Sequence, residues 1–306
     1  MAETIVKASK ANKIKNPTED RILYAAVGVI LTLFILCILY PVIFIISASF
    51  SEGTEVQLGH VYLLPVKPTL DGYKAVFSHK NVLTGFRNTF FYTFVGTAIN
   101  VVITLLCAYP LSRRDLPFRG FFTFLFVFTM FFSGGLIPSY LLVSKLKMIN
   151  TIWALLLPGA MSVYNMIITR SFFVNTVPQD LLEAAEIDGC SDARYFFAIL
   201  LPLSQAVIAV ISLYYAVAHW NAYFSALIYL RDPNLQPLQL ILRNILLATR
   251  VSLSEFEDPD LMEGKIGLEY LLKYALIVVS CGPIIALYPF VQKFFMKGVM
   301  LGSVKG

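Results

Sequence analysis

A short polar segment interrupts the apolar second half of the chain, and its residue types suit docking rather than catalysis. It contains Glu183, Ala184, Ala185, Asp188 and Gly189. Small alanine side chains let a helix enter a cleft closely, while the two carboxylates can pair with basic groups at the rim of that cleft. The segment therefore predicts a contact site for another protein, with a solvated surface helix as the alternative.

The residues around this segment predict two consecutive helices. Pro178 suits the first turn of a helix, and nearby acidic residues complement the helix dipole. Gly189 can adopt the left-handed conformation that ends a helix, and Ser191 can cap the next one. We expect this second helix to follow the membrane interface and to lead into an apolar run, with Pro202 shortly inside it.

A second group of residues could line a path for a neutral polar solute. Aromatic faces can stack on the rings of such a solute, and neutral amides or hydroxyls can bond to its hydroxyl groups. The same side chains also serve as packing, interhelical and interfacial residues in membrane proteins, so that alternative stays open. The candidates lie in the later apolar runs and are Tyr164, Asn165, Gln205, Tyr214, Tyr215, His219, Trp220 and Asn221.

Catalytic and metal sites are not indicated. The three histidines are scattered without metal-ligand or nucleophile–base spacing, and the four cysteines show no paired spacing. The chain also has no G-x-x-x-x-G-K-[ST] loop, which an ATPase of the P-loop type needs. We therefore expect no enzymatic activity, no bound metal and no bound cofactor, and any energy from ATP must come through another chain.

The elements that would position these residues are membrane helices. Hydrophobic residues make up 58% of the chain and charged residues 14%, which is far more apolar than soluble domains. Continuous apolar runs favour helices over a β-barrel, whose strands alternate. The fold class is therefore all-α, a polytopic membrane protein with six transmembrane helices. These runs contain no Asp, Glu, Lys or Arg and are approximately 22–49, 88–112, 120–144, 148–169, 198–230 and 274–292.

Basic residues predict the orientation of the chain. The N-terminal arm carries Lys7, Lys10, Lys13 and Lys15, and the short loop after the second run contains three arginines. Because short cytoplasmic loops are rich in Lys and Arg, both ends should be cytoplasmic. The net charge of +5 needs no nucleic acid to explain it. The first apolar run is too long for a signal peptide and reads as a retained anchor.

Two larger connections fall on the predicted outer side. Residues 50–87 contain several glycines and prolines, with a short helix expected near 70–77. Residues 231–273 contain a possible amphipathic helix near 238–249 and an acidic stretch from 255 to 263. Either connection could contact an extracellular partner, and an ordinary solvated loop is the alternative for each.

The spacing of the polar segment resembles the EAA loop of binding-protein-dependent ATP-binding-cassette importers. That pattern is EAA, three residues, G, nine residues and I-x-L-P, and every position matches, ending at Ile199-Leu200-Leu201-Pro202. In the family this loop is the coupling helix, seated in the nucleotide-binding subunit. The resemblance implies a type I importer permease fold, with the ATPase-coupling role falling on Glu183, Ala184, Ala185, Asp188, Gly189 and Pro202.

Other stretches resemble the maltose-type carbohydrate permeases, from about residue 22 onward. Trp220-Asn221-Ala222-Tyr223-Phe224 is similar to a motif after the fifth span, and residues 297–306 are similar to the family's C-terminus. Ser133-Gly134-Gly135-Leu136-Ile137-Pro138 resembles a subgroup that handles complex oligosaccharides. The implied organisation is a cytoplasmic arm at 1–21 and a permease domain at 22–306, with the inner coupling loop at 176–202.

The resemblance implies a function and a set of partners. The chain would be a permease in a bacterial cell membrane that translocates sugars, oligosaccharides in particular. It would work with ATPase subunits that hold ATP and Mg²⁺, a second and homologous permease, an extracellular solute-binding protein and membrane lipid. A permease for a non-sugar solute is one alternative. An ion-coupled secondary transporter is another, although its spans usually contain ionisable residues and these contain only His219.

Overall fold

The computed structural model describes residues 18–78, 80–253, 267 and 270–286. These residues form helices and connecting loops, with no β-strand among them, as predicted for an all-α fold. The helices are α1 (Thr18–Ser49), α2 (Gly53–Gln57), α3 (Asp71–Ser78), α4 (Lys80–Ser112), α5 (Arg119–Phe131), α6 (Leu136–Lys145), α7 (Trp153–Leu156), α8 (Val163–Thr176), α9 (Gln179–Ile187), α10 (Asp192–Tyr195), α11 (Leu201–Leu203), α12 (Gln205–Asn221), α13 (Phe224–Tyr229), α14 (Leu238–Leu253) and α15 (Tyr270–Ala286).

Helix α1 stands apart from the packed part of the chain. Its side chains between Ile22 and Tyr40 are exposed, and burial begins only near its C-terminal end at Ser47. Ser47 Oγ donates to the carbonyl of Leu63 at 2.7 Å, which ties this end to the loop that follows α2. A long apolar helix with so little protein contact is suited to lipid or to another membrane subunit.

Helix α4 lies at the centre of the packed helices and contacts α8, α12 and α14. Small residues on α4 allow close approach, as is common for helices that pack in membranes. A Cβ at Gly96 would lie 2.5 Å from Nε2 of His219 on α12, and one at Gly85 would lie 2.6 Å from Cδ1 of Ile241 on α14. These two glycines therefore set the spacing between α4 and its neighbours.

Polar side chains near the start of α4 hold the connection that leads into α14. The Nδ2 of Asn88 donates to the carbonyls of Asn234 and Gln236 at 2.7 and 3.0 Å. The hydroxyl of Tyr92 donates to the carbonyl of Leu235 at 2.7 Å. Thr89 Oγ1 accepts from the backbone N–H of Leu238 at 2.8 Å. This loop is thus pinned to α4 by side chains that satisfy its backbone groups.

Three of the predicted apolar runs are interrupted rather than continuous. The run at 120–144 is divided into α5 and α6, and the chain bends by 111° between them. The bend lies near Gly135, whose φ is +82°. The run at 148–169 contains α7 and the start of α8, separated by Pro158-Gly159. The run at 198–230 bends by 81° before α12. Proline and glycine thus break helical bonding inside apolar runs that are continuous in the sequence.

The number of membrane spans stays a prediction. Two helices of the described part, α1 and α4, are long and apolar enough to cross a bilayer, or up to four spans if each bent pair counts as one. The sixth predicted run, 274–292, lies partly outside the described residues. Residues 1–17 of the N-terminal arm, the acidic stretch at 255–263 and the C-terminal motif at 297–306 also lie outside them. The short helices expected near 70–77 and 238–249 are confirmed as α3 and α14.

Candidate functional site

Helix α9 and its C-terminal cap form the centre of the site. The helix begins after Pro178 and ends at Ile187, and Gly189 follows with φ of +72°. The backbone N–H of Gly189 donates to the backbone carbonyl of Glu186 at 3.0 Å, and the N–H of Cys190 donates to the backbone carbonyl of Ala185 at 2.9 Å. This pair of bonds is the Schellman motif. The predicted left-handed stop at Gly189 is therefore confirmed.

The faces of α9 separate residues that contact this chain from residues that are free to contact another. Ala185 is buried in the core formed by α4, α8 and α12, and Leu182 packs beside it. Glu183, Ala184 and Asp188 are exposed. Of the two alanines expected to enter a partner's cleft, only Ala184 therefore lies on the outward face, because Ala185 shares the inward face with Leu182.

Two apolar residues on the outward face were missed by the sequence interpretation. Ile187 is 86% exposed, the highest value among the large hydrophobic side chains that the structure describes. Leu181 is 40% exposed. The sequence does not single them out, because leucine and isoleucine are ordinary residues in a helix and these two lie among acidic residues. Exposed aliphatic side chains next to carboxylates make a surface with an apolar contact and a charged border.

A cluster of charged side chains joins α9 to the end of α4. This Arg113 cluster comprises Arg113, Asp115, Glu186 and Asp192. The guanidinium of Arg113 donates from Nε and Nη2 to the two carboxylate oxygens of Asp115 at 2.8 and 2.9 Å. Its Nη2 also donates to Glu186 Oε1 at 3.0 Å. Its Nη1 lies 3.2 Å from Asp192 Oδ1, without hydrogen-bond geometry.

Hydrogen bonding favours the charged forms of Arg113 and Asp115. Hydrogen bonding to Asp115 raises the pKa of Arg113 above its ordinary value. The same bond lowers the pKa of Asp115 below its ordinary value. The Arg113 side chain is only 13% exposed, whereas its three carboxylate partners remain more than half exposed. A single shielded cation is therefore shared by carboxylates from three different segments.

A cavity of about 470 Å³ lies between α9 and the ends of α4 and α8. Charged and polar groups from the Arg113 cluster and from Glu183 and Gln179 form part of its wall, and Phe173 and Leu182 form an apolar part. Helix α9 therefore covers open space on the side of this cavity. Among the described residues, it packs against the rest of the chain through the Leu182–Ala185 face and the Arg113 cluster.

The chain leaves α9 through a sequence of irregular turns. Ser191 caps α10 by accepting from the backbone N–H of Arg194 at 3.4 Å, which confirms the predicted cap. A π-helical turn follows at Phe196–Leu200, then α11 with Pro202, then the 81° bend before α12. π-Helical turns and proline both loosen regular helical bonding. This stretch therefore connects α9 to α12 through a non-uniform joint.

The predicted sugar-path residues do not form one surface in this chain. Three of them are buried, and two of these have structural partners. The Tyr215 hydroxyl lies 2.6 Å from Thr104 Oγ1 and accepts from the backbone N–H of Ser162 at 2.9 Å. The Trp220 Nε1 donates to the carbonyl of Ser280 at 3.1 Å. Asn165 is 5% exposed, in the first turn of α8.

The other candidates are more accessible. Tyr164 and Tyr214 are 56% and 44% exposed, and Gln205 and Asn221 are also exposed. Gln205, Tyr214 and Asn221 lie on α12, and Tyr164 lies on α8. His219 is half-buried against Gly96, and its Nε2 has no hydrogen-bond partner among the described residues. Whether any of these side chains contacts a solute stays a prediction.

Groups that could hold a metal ion are not found in the part of the chain that the structure describes. Cys37, Cys107, Cys190 and Cys281 are all free thiols.

Comparison with known proteins identifies the family of this chain. Residues 100–300 match the family described as the binding-protein-dependent transport system inner membrane component. The chain belongs to this family of transport permeases. It is therefore a membrane subunit of a transport system.

Individual relatives extend over nearly the whole chain. The polygalacturonan/rhamnogalacturonan transport system permease protein YtcP of Bacillus subtilis is 42% identical over 293 residues, covering 96% of this chain and all of the relative. Protein LplC of the same organism is 42% identical over 266 residues, covering 87% and 89%.

A solved structure supports the same fold. A chain from a bacterial ABC transporter involved in the import of the acidic polysaccharide alginate matches with a TM-score of 0.81 and 32% identity, covering 91% of this chain and 98% of its own length. The expected importer permease fold is therefore confirmed.

Proposed function

We propose that this permease moves oligosaccharides in an ATP-driven importer, and that an ATPase subunit acts on α9. The observation that carries the coupling role is the outward face of α9, where Ile187 and Leu181 are exposed beside Glu183 and Asp188. Such a face combines an apolar contact with a charged rim, which is the usual composition of a docking surface. The Schellman cap at Gly189 holds this face in a fixed orientation.

The Arg113 cluster and the basic residues beside it support a proposed orientation of the chain. Arg113 comes directly after α4 and bonds to Glu186 of α9 at 3.0 Å, so both segments lie on one side of the membrane. We assign this side to the cytoplasm, because Arg113, Arg114 and Arg119 lie in a short loop and such loops are basic on the cytoplasmic side. The N- and C-termini would then also be cytoplasmic.

The substrate class rests on the relatives. One of them is named for polygalacturonan and rhamnogalacturonan transport, one is named for arabinooligosaccharide transport, and the solved relative imports an acidic polysaccharide. The predicted spans without Asp, Glu, Lys or Arg agree with a carrier that uses no ion gradient. Exposed aromatic and amide groups at Tyr164, Tyr214 and Asn221 could contribute solute contacts.

Several partners are part of this proposal. ATP and Mg²⁺ would bind to the ATPase subunits, and an extracellular solute-binding protein would deliver the sugar. A second, homologous permease would complete the pore. Helices α1 and α5 leave large apolar surfaces exposed, which suit lipid or such a second subunit.

Ile187→Glu tests the docking surface. Since Ile187 is 86% exposed, the substitution should leave the fold intact, while a charge in an interface hot spot should weaken binding of the ATPase on the order of tenfold or more. Copurification of the ATPase and ATP-driven uptake in proteoliposomes would be measured. Leu64→Glu is the matched control, because Leu64 is 78% exposed in the connection predicted to face outward. Equal retention of the ATPase in both variants would contradict the assignment of α9.

Uptake by the complete complex with its binding protein tests the substrate class. We expect labelled oligosaccharides to accumulate in an ATP-dependent manner and unlabelled oligosaccharides to compete. Comparison of uronate-containing with neutral oligosaccharides would then narrow the class. Competition only by peptides or amino acids would overturn the sugar assignment without affecting the role of α9.

A further inference from the structure

The contacts between α9 and α4 are few and of two kinds. One is the small apolar face in which Leu182 and Ala185 pack against the core. The other is the guanidinium of Arg113, which follows α4 without a break and bonds to Glu186 at 3.0 Å. Among the described residues, Glu186 forms an ion pair only with Arg113, and so does Asp192.

The charges of the cluster show how strongly it depends on one side chain. Arg113 is the single cation opposite three carboxylates, and these come from the loop after α4, from α9 and from α10. Without the guanidinium, all three carboxylates would lose their ion pair, and of Glu186 and Asp192 only Asp192 would keep a hydrogen bond to α4, from the Tyr109 hydroxyl at 3.4 Å. Arginine suits this position because its planar fork can serve several acceptors at once, which a lysine ammonium does less well.

The position of α4 makes this connection important for movement. Helix α4 contacts α5, α8, α12 and α14, so a displacement at its end can reach most of the packed helices. The covalent route from α9 to α12 passes instead through the π-helical turn, Pro202 and the 81° bend. Such an irregular joint transmits a push less directly than a fixed contact with the end of one continuous helix, although α4 itself contains Pro110 in its last turn.

From this geometry we infer that Arg113 is a positioning residue, which locks α9 to the end of α4 so that a movement of α9 displaces the packed helices. The inference rests on the proposed role of α9 as the ATPase contact. Arg113 does not itself need to contact the ATPase or the solute. Its loss would leave only the Leu182–Ala185 face to move α4 with α9, and ATP hydrolysis would then continue with less transport.

The test measures solute transported per ATP hydrolysed, in proteoliposomes that contain the complete complex and its binding protein. We expect this ratio to fall about fivefold or more for Arg113→Gln, which is the lower range of coupling effects between sites. Arg113→Lys should give an intermediate ratio because it keeps the charge and loses the fork. Arg114→Gln is the control, since Arg114 is exposed and forms no ion pair within the described residues.

Glu186→Gln gives a second approach if Arg113→Gln is poorly produced. Glu186 is half exposed, so its substitution should leave the fold intact. It should lower the ratio in the same direction, and the double variant with Arg113→Gln should be no worse than the worse single variant, because both remove one contact.

A ratio like that of the wild type in Arg113→Gln would overturn the inference. So would a loss of complex yield with an unchanged ratio in the complex that is recovered, because the residue would then be merely structural. A wild-type complex that neither binds the ATPase nor transports would instead refute the proposed function. These results are distinguishable, since the ratio is compared only in complexes with bound ATPase.

Discussion

The left-handed glycine that ends α9 provides a quantitative test of the site's local structure. Gly189 has φ of +72°, and a Cβ added there would meet nothing within 4 Å. Substitution by alanine therefore adds no clash, and its cost is the left-handed strain alone, about 1–2 kcal/mol. That cost corresponds to a roughly 5- to 30-fold change in a local equilibrium. Asparagine tolerates this conformation better, and β-branched valine tolerates it worse.

Hydrogen–deuterium exchange of the purified permease in nanodiscs can measure this series. The relevant amides are those of Gly189 and Cys190, whose bonds to Glu186 and Ala185 open when the cap is lost. In Gly189→Ala we expect their exchange to be about 5- to 30-fold faster than in the wild type, if exchange follows local opening. The asparagine variant should fall between wild type and alanine, and the valine variant should exchange fastest.

The control for this experiment is the exchange of amides in the interior of α4, which should not change. Wild-type protection in Gly189→Ala would refute the reasoning, as would an asparagine variant less protected than the valine variant. Uptake should decline in the same order as cap stability if α9 must be held in one orientation. A Gly189→Trp variant with full ATP-driven uptake would contradict the proposed docking of the ATPase on this segment.

Further predictions concern packing and the outer loop. Gly96→Ala should destabilise the fold by about 1–3 kcal/mol through overpacking, because its Cβ would lie 2.5 Å from the half-buried imidazole of His219. Thermal unfolding in detergent would measure this, with Gly28→Ala as the control that meets nothing within 4 Å. Trp220→Phe should cost about 0.5–1.5 kcal/mol through loss of the buried hydrogen bond to the carbonyl of Ser280 on α15, and an unchanged melting temperature would contradict this. Hydrogen bonding from Lys67 lowers the pKa of Glu55, so this pair stabilises the loop above about pH 4.3 and the stabilisation is lost as the pH falls through the lowered value. Hydrogen exchange of the loop should therefore accelerate beyond the intrinsic pH effect only below about pH 4.3, and equal acceleration in Glu55→Gln would contradict the assignment.

The sequence predicted local features of the site well. Gly189 and Ser191 act through backbone bonds to residues within a few positions, so their residue types and spacing were sufficient to predict the stop and the cap. The all-helical fold was predictable for a similar reason, because uncharged apolar runs long enough for a bilayer leave few other options. The relation of these runs to individual helices was not predictable from hydropathy alone.

Features that depend on packing were beyond the reach of the sequence. Hydropathy does not distinguish a straight helix from one that is broken at Gly135 or at Pro158, since both kinds of run are equally apolar. Arg113 was read only as a basic loop residue, because its partners Glu186 and Asp192 lie 73 and 79 positions away in the chain. The inward position of Ala185 likewise follows from how α9 packs on the core and not from the residue itself.

The isolation of α1 has a consequence for the order in which the chain enters the membrane. With a mean hydropathy of 3.1 over an unbroken stretch, α1 can settle in the bilayer without help from other helices. Helix α5, with 13 residues, is too short to cross alone, since a span takes roughly 20 residues. Helix α1 also precedes the broken helices in the chain. Helix α1 can therefore anchor the growing polypeptide in the membrane first. The interrupted helices can then insert once the helices that pack against them have been synthesised.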